Sequence, residues 1–250
     1  MSRISRFATL AVASAALFAS PISAHAQWQV DLFKVNVASS VDHNGPGDGC
    51  CSGLQTGWVD GVLNANRRPT LSATGAAYGG VNKINSVGVG VQLAWWTVGG
   101  LSGAVVSDGT TTLGSIASAN FNTGGGWFPT GQSDNSTWQR SALFTGYASN
   151  TGSANWTVGA NDDAWIFRNG NLVLDNGGVK GIGTSSTNSV SWAVGDRIEI
   201  FFADRNTVDA GIGFDGGGLQ VSTVPEPGTY ALMTTGLLAV FGVVRRRRRE

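Results

Sequence analysis

Between Gln27 and Val224 the apolar residues come in short runs, each closed by a cluster of Gly, Asn, Ser or Asp. No segment in that span carries a convincing helical period. Runs of this length, rich in Trp, Phe, Val and Ile and broken by turn residues, belong to strands joined by tight turns. The chain is therefore expected to be all-β, a single antiparallel β-sandwich. Glycine supports this, with 37 of 250 residues, because tight turns need its conformational freedom. The span holds no internal repeat of the kind that makes a solenoid or a propeller.

The two ends read differently. Arg3 and Arg6 precede the apolar stretch "FATLAVASAALFAS", and "AHA" (Ala24, His25, Ala26) offers small residues before a cut at Gln27. That is the order of a secretory signal peptide over 1–26. The other end, 224–250, opens with Pro225, Glu226 and Pro227, which stop strand and helix alike. An uncharged apolar helix is predicted over 228–244, short for a bilayer span, followed by the arginines 245–249. The plain reading is a single-span anchor. The order Pro-Glu-Pro, short span, arginine cluster resembles the PEP-CTERM sorting signal of Gram-negative bacteria. That resemblance implies an exosortase-type processing enzyme in the inner membrane as partner, and a link to exopolysaccharide and biofilm. It also implies a route of export through the inner membrane, transient anchoring by the helix, and then the cell surface or extracellular matrix.

Removing both ends leaves about 197 residues, a size suited to one domain, 27–223. Nine Lys and Arg stand against fourteen Asp and Glu between Gln27 and Val224, a net charge near −5. An acidic exported domain is a poor nucleic-acid binder and suits cations or neutral sugars. Cys50 and Cys51 are adjacent, so they supply no disulfide framework; a vicinal bond, an intermolecular bond or two loop thiols remain open, with a structural role preferred. After signal cleavage His43 is the only histidine, and no Gly-x-Ser-x-Gly elbow, phosphate loop or zinc spacing is present. These absences argue against an enzyme.

Within the span, Asn169-Gly170 signals a short hairpin between "AWIFR" and "NLVLD", and Gly195-Asp196 signals a second. In "RIEIFF", Ile198, Ile200 and Phe202 alternate with Arg197, Glu199 and Phe201, as on a strand with one buried face. "VNKINSVGVGVQLAWWTVGG" is expected to hold a pair of strands, with Trp95 and Trp96 pointing to opposite faces. Trp127, Phe128 and Trp138 flank a loop, either as anchors or as sugar-stacking platforms.

Asp162 and Asp163 stand where a strand begins, and a regular strand would send one of them into the core. Three readings compete. Both could sit solvated in a turn, with Asn161 and Asp162 capping backbone N–H groups. They could be paired catalytic acids, although glycosidase carboxyls need roughly 5–9 Å between them. They could hold Ca²⁺, which takes six to eight oxygens, if an abnormal backbone such as a cis peptide let them converge.

"QRSALFTGY…ANWTVGANDDAWIFRNGNLVLDNGG" resembles the protective-antigen-type domain with its fibro-slime and flocculin relatives. The matching positions are Gly146 and Tyr147, Asp162 and Asp163, Trp165 to Phe167, Asn169 and Gly170, Leu172 and Val173, Asp175, and Gly177 and Gly178. "IEIFFADRNT", Ile198 to Thr207, is similar to the fibro-slime "FFAERH" segment, with Asn206 in place of His. The resemblance covers 121–221 best. It implies a β-sandwich of protective-antigen type, with Asp162 and Asp163 meeting through a cis peptide as calcium ligands. It also implies a ligand site of Asp162, Asp163, Arg205 and Asn206, with Asn206 and Asp209 completing the metal's ligands from a later loop. Asp204 and Arg205 could instead pair or brace that loop, and Asp175 is expected to be a turn former. The implied function is non-catalytic, calcium-dependent binding of extracellular polysaccharide. The alternative is a structural matrix or surface protein with no specific sugar.

Overall fold

The computed structural model describes residues 27–36, 53–77, 88–100, 103–114, 116, 138–181, 183–205, 211–223 and 236. The signal peptide, Pro225 to Pro227 and the predicted helix 228–244 lie almost wholly outside the described residues, as do His43, Cys50, Cys51, Trp127 and Phe128. Among the described residues no helix is long and apolar enough to cross a membrane.

The structure is built of antiparallel strands, as the short apolar runs require. The strands are β1 (Trp28–Asn36), β2 (Val105–Leu113), β3 (Trp138–Ala148), β4 (Gly152–Ala160), β5 (Asp163–Arg168), β6 (Asn171–Asn176), β7 (Ser185–Trp192), β8 (Arg197–Ala203), β9 (Ile212–Asp215) and β10 (Val221–Ser222). A large sheet runs in the order β2-β1-β3-β8-β5-β6, with β10 also paired to β3. A small sheet runs β7-β4-β9. The core between them holds Val30, Phe144, Ile166, Ile200 and Phe202 together with Trp156, Val158, Val190 and Phe214. Full burial of side chains of this kind stabilises by about 1.5–3 kcal/mol each.

The other face of the large sheet is covered too. The segments 53–77, 88–100 and 103–104 form an irregular layer containing a short helix, α1 (Ala73–Ala77), and a 3₁₀ turn, Ala94–Trp96. Beneath it lies a second core of Phe33, Trp58, Leu71, Trp95, Trp96, Trp165, Phe167 and Phe201. This third layer corrects two expectations. The alternation in β8 does not divide a wet face from a dry one, since Glu199 and Phe201 are as buried as Ile198 and Ile200. Trp95 and Trp96 are both fully buried, because they lie on a 3₁₀ turn rather than a strand and so do not point to opposite faces of a sheet. The same layer shields the exposed edge of β6, where Leu63 N–H donates to Gly170 O (2.8 Å) and Leu172 N–H to Gly61 O (2.9 Å).

Asn169-Gly170 makes the expected two-residue hairpin between β5 and β6, both residues at positive φ (51° and 85°). Gly195-Asp196 does not make a hairpin. β7 pairs with β4 in the small sheet, whereas β8 pairs with β3 and β5 in the large one, so this turn carries the chain between sheets.

Candidate functional site

Three connections between the sheets converge at one end of the sandwich. Asn161 and Asp162 lead from β4 to β5, residues 177–184 lead from β6 to β7, and the segment after Ala203 leads from β8 toward β9. The pairings Asp163↔Ala203 and Ala164↔Asn176 bring the three together. Asp162 takes the corner at φ 62°, a left-handed conformation that Asp tolerates better than most residues. That local break lets both carboxylates turn inward. Asp162 is 2% exposed and Asp163 0%. The solvated-turn reading is therefore overturned.

All four carboxylate oxygens are engaged by the chain. Asp162 Oδ1 accepts from Lys180 N–H (3.1 Å) and Oδ2 from Arg205 N–H (2.6 Å). Asp163 Oδ1 accepts from Gly178 N–H (2.6 Å), and its Oδ2 pairs with Arg205 Nη1 at 3.0 Å. The guanidinium of Arg205 lies over the rings of Trp58 (5.1 Å) and Trp95 (5.5 Å), so the pair is closed off by the irregular layer. Lys180, also buried, donates from Nζ to three backbone carbonyls: Asp162 O, Asn176 O (2.8 Å) and Gly178 O (3.2 Å). An ammonium has three donors, and here all three are used.

Asp175 belongs to the same corner. It lies within β6, where it accepts from Trp165 Nε1 (3.0 Å), Gly57 N–H (2.7 Å) and Gly177 N–H (3.2 Å), tying the irregular layer to the sheet. The glycines after it are required by close approach. A Cβ at Gly177 would stand 2.6 Å from Gln55 O, and one at Gly178 2.3 Å from Gly53 O.

Burial sets the electrostatics. It pushes the Asp162 carboxyl up to about 6, with the Asp163 charge adding to the rise and the N–H of Arg205 opposing it. It also raises the Asp175 carboxyl. Lys180 is pulled down to about 8 by burial, against the carboxylates of Asp163, Asp162 and Asp175. Near neutral pH the Asp162 carboxylate and the Lys180 ammonium thus both carry charge.

Of the residues singled out from sequence, the structure brings Asp162, Asp163 and Arg205 together. Asn206 and Asp209 lie outside the described residues. The peptide between the aspartates is trans, contrary to the expected cis bond, and no cis peptide occurs among the described residues. The left-handed φ of Asp162, rather than a cis bond, is what turns the pair inward. Arg205 is buried, paired with Asp163 and packed against the rings of Trp58 and Trp95. Among the described residues no three His, Cys, Asp or Glu side chains group as metal ligands. A calcium ion needs six to eight free oxygen ligands. Among the described residues the corner offers that ion the carboxylates of Asp162 and Asp163, whose oxygens already accept bonds and which are flanked by two fixed cations, a donor set that does not fit it. Trp138 is half-buried at the start of β3, with Lys34 Nζ 5.2 Å from its ring centroid. The sequence reading missed Lys180, whose role rests on backbone carbonyls that no motif announces.

Residues 223–249 match the PEP-CTERM protein-sorting motif. This places an export and membrane-associated sorting signal at the end of the chain and implies processing by an exosortase-type enzyme. No curated protein matches the chain. Among solved structures, it is similar to the PA14 sugar-binding domain of an RTX adhesin, at 19% identity over 34% of this chain and TM-score 0.28. The match spans about half, 55%, of that adhesin domain. The PA14 domain of the MpAFP antifreeze protein matches at 21% identity over 37% of this chain and 69% of its own, TM-score 0.27. The epithelial adhesin 9 A domain from Candida glabrata, solved with Galβ1-4GlcNAc, matches at 10% identity over 80% of this chain and 87% of its own, TM-score 0.38. At TM-scores this low, the architecture stands on its own strand pairing: an antiparallel β-sandwich ending in a PEP-CTERM sorting motif.

Proposed function

We propose that the chain is an exported, non-catalytic carbohydrate-binding protein of the cell surface or exopolysaccharide matrix. The observation that carries this reading is spatial. The positions matched to sugar-binding protective-antigen-type domains are scattered in sequence, yet they fall on or beside the adjacent strands β3, β8, β5 and β6. Asp162 and Asp163 stand at the end of that block, against Asp204 and Arg205. The sorting motif supports delivery to the envelope. Calcium enters only through the resemblance, and the engaged oxygens of the aspartate pair speak against it.

A specific observation favours a second reading, a structural matrix protein without a sugar ligand: both aspartates and Arg205 are closed off from solvent. A glycan array probed with the full-length protein, in calcium and in EDTA, separates the two. Reproducible binding to defined glycans supports the first. No binding across bacterial polysaccharides and mammalian glycans in either medium leaves the second.

A further inference from the structure

We propose that Lys180 and Arg205 stand in for a divalent cation at the Asp162–Asp163 corner, so that this domain folds and holds its three crossover segments together without calcium. Two buried carboxylates need two positive charges, since an uncompensated buried charge is strongly destabilising. One ammonium and one guanidinium supply the same +2 that a calcium ion would.

The donor argument is more specific. The Lys180 ammonium is surrounded by the carbonyl oxygens of Asp162, Asn176 and Gly178, hard oxygen donors of the kind a cation takes from backbone. Two of those carbonyls, Asp162 O and Gly178 O, come from separate crossovers, and the third, Asn176 O, from the last residue of β6. Arg205 supplies the third connection: its backbone N–H is bonded to Asp162 and its guanidinium to Asp163. Each cation is tied to the segments that an ion would have to bridge. Trp58 and Trp95 cover the guanidinium on the Asp163 side of the corner. The inference does not rest on a sugar being bound.

The test uses the full-length chain in detergent micelles, melted in EDTA and in millimolar calcium, and compared with Lys180→Met. A calcium site with Kd a hundredfold below the free concentration would raise the melting midpoint by roughly 5–10 °C in a domain of this size. The wild type is expected to melt within about 1 °C in the two media, well below that shift. Lys180→Met, which replaces the ammonium in the carbonyl cradle by a neutral tail of similar length and restores net negative charge, is expected to melt lower in EDTA and to recover several degrees in calcium. A wild-type midpoint that rises with calcium overturns the proposal, and so does a folded Lys180→Met that ignores calcium. Should that variant not fold in either medium, terbium titration of the wild type decides. Trp58, Trp95 and Trp165 lie close enough to sensitise a lanthanide at the corner. Absence of sensitised emission upholds the internal cations, and saturable emission displaced by calcium refutes them.

Discussion

At the residue scale the aspartate pair shows what a sequence conveys about a charge and what it withholds. Two adjacent aspartates before "AWIF" raise the question of where their charges go, because a regular strand would turn one carboxylate inward. The chain resolves this by turning Asp162 left-handed, so that both do. Their partners were not legible. Lys180 lies 18 residues along the chain from Asp162, and Arg205 lies 42 residues from Asp163, so only the folded topology unites them. Asp163→Asn is therefore expected to cost about 3–5 kcal/mol, the range for breaking a buried ion pair and leaving one charge unmatched. Urea denaturation followed by tryptophan fluorescence measures this directly. A loss below about 1 kcal/mol would mean that the pair behaves like one exposed to solvent.

Elements were legible where pattern and turn chemistry agree. Asn169-Gly170 has the φ values its hairpin demands, and β5, β6 and β8 coincide with the runs "AWIFR", "NLVLD" and "RIEIFF". Legibility failed where a third layer intervenes. β8 looks half-wet in sequence, but Arg67 reaches over from the irregular layer to bond the buried Glu199. The 3₁₀ turn at Ala94–Trp96 was hidden because its two tryptophans carry the β-rich composition of a strand. Glycine substitutions separate conformational strain from close approach. At Gly170 an added Cβ meets only the tip of Arg67 at 4.0 Å, so Gly170→Ala is expected to cost roughly 1–2 kcal/mol for its positive φ alone. Gly178 combines a φ of 103° with backbone 2.3 Å away, so Gly178→Ala should cost clearly more. Thermal melts of the two variants side by side check the order, and equal losses would contradict the packing of residues 53–57 against this turn.

For the whole molecule, the sandwich and the sorting tail were both legible, the first from short apolar runs and the second from Pro225-Glu226-Pro227 and the arginine cluster. The irregular layer was not, because segments 53–77, 88–100 and 103–104 carry little periodic signal and are ordered by contact with the sheet rather than by local propensity. The tail's role gives a prediction of its own. In cells lacking the exosortase-type enzyme, the chain is expected to remain at its unprocessed size in the membrane fraction. Immunoblots of fractionated cells check this, and normal processing there would contradict the sorting assignment.

The central claim is that the Asp162–Asp163 corner is a closed clasp fastening three connections between the sheets. Native-state hydrogen exchange at the amides of Gly178, Lys180 and Arg205 tests it most directly, since each donates to one of the two carboxylates. The clasp predicts that these amides exchange only through global unfolding, with the same opening free energy as the core of β3 and β8. Exchange through a low-energy local opening, while β3 and β8 stay protected, would show the corner to be a loose turn and contradict the claim.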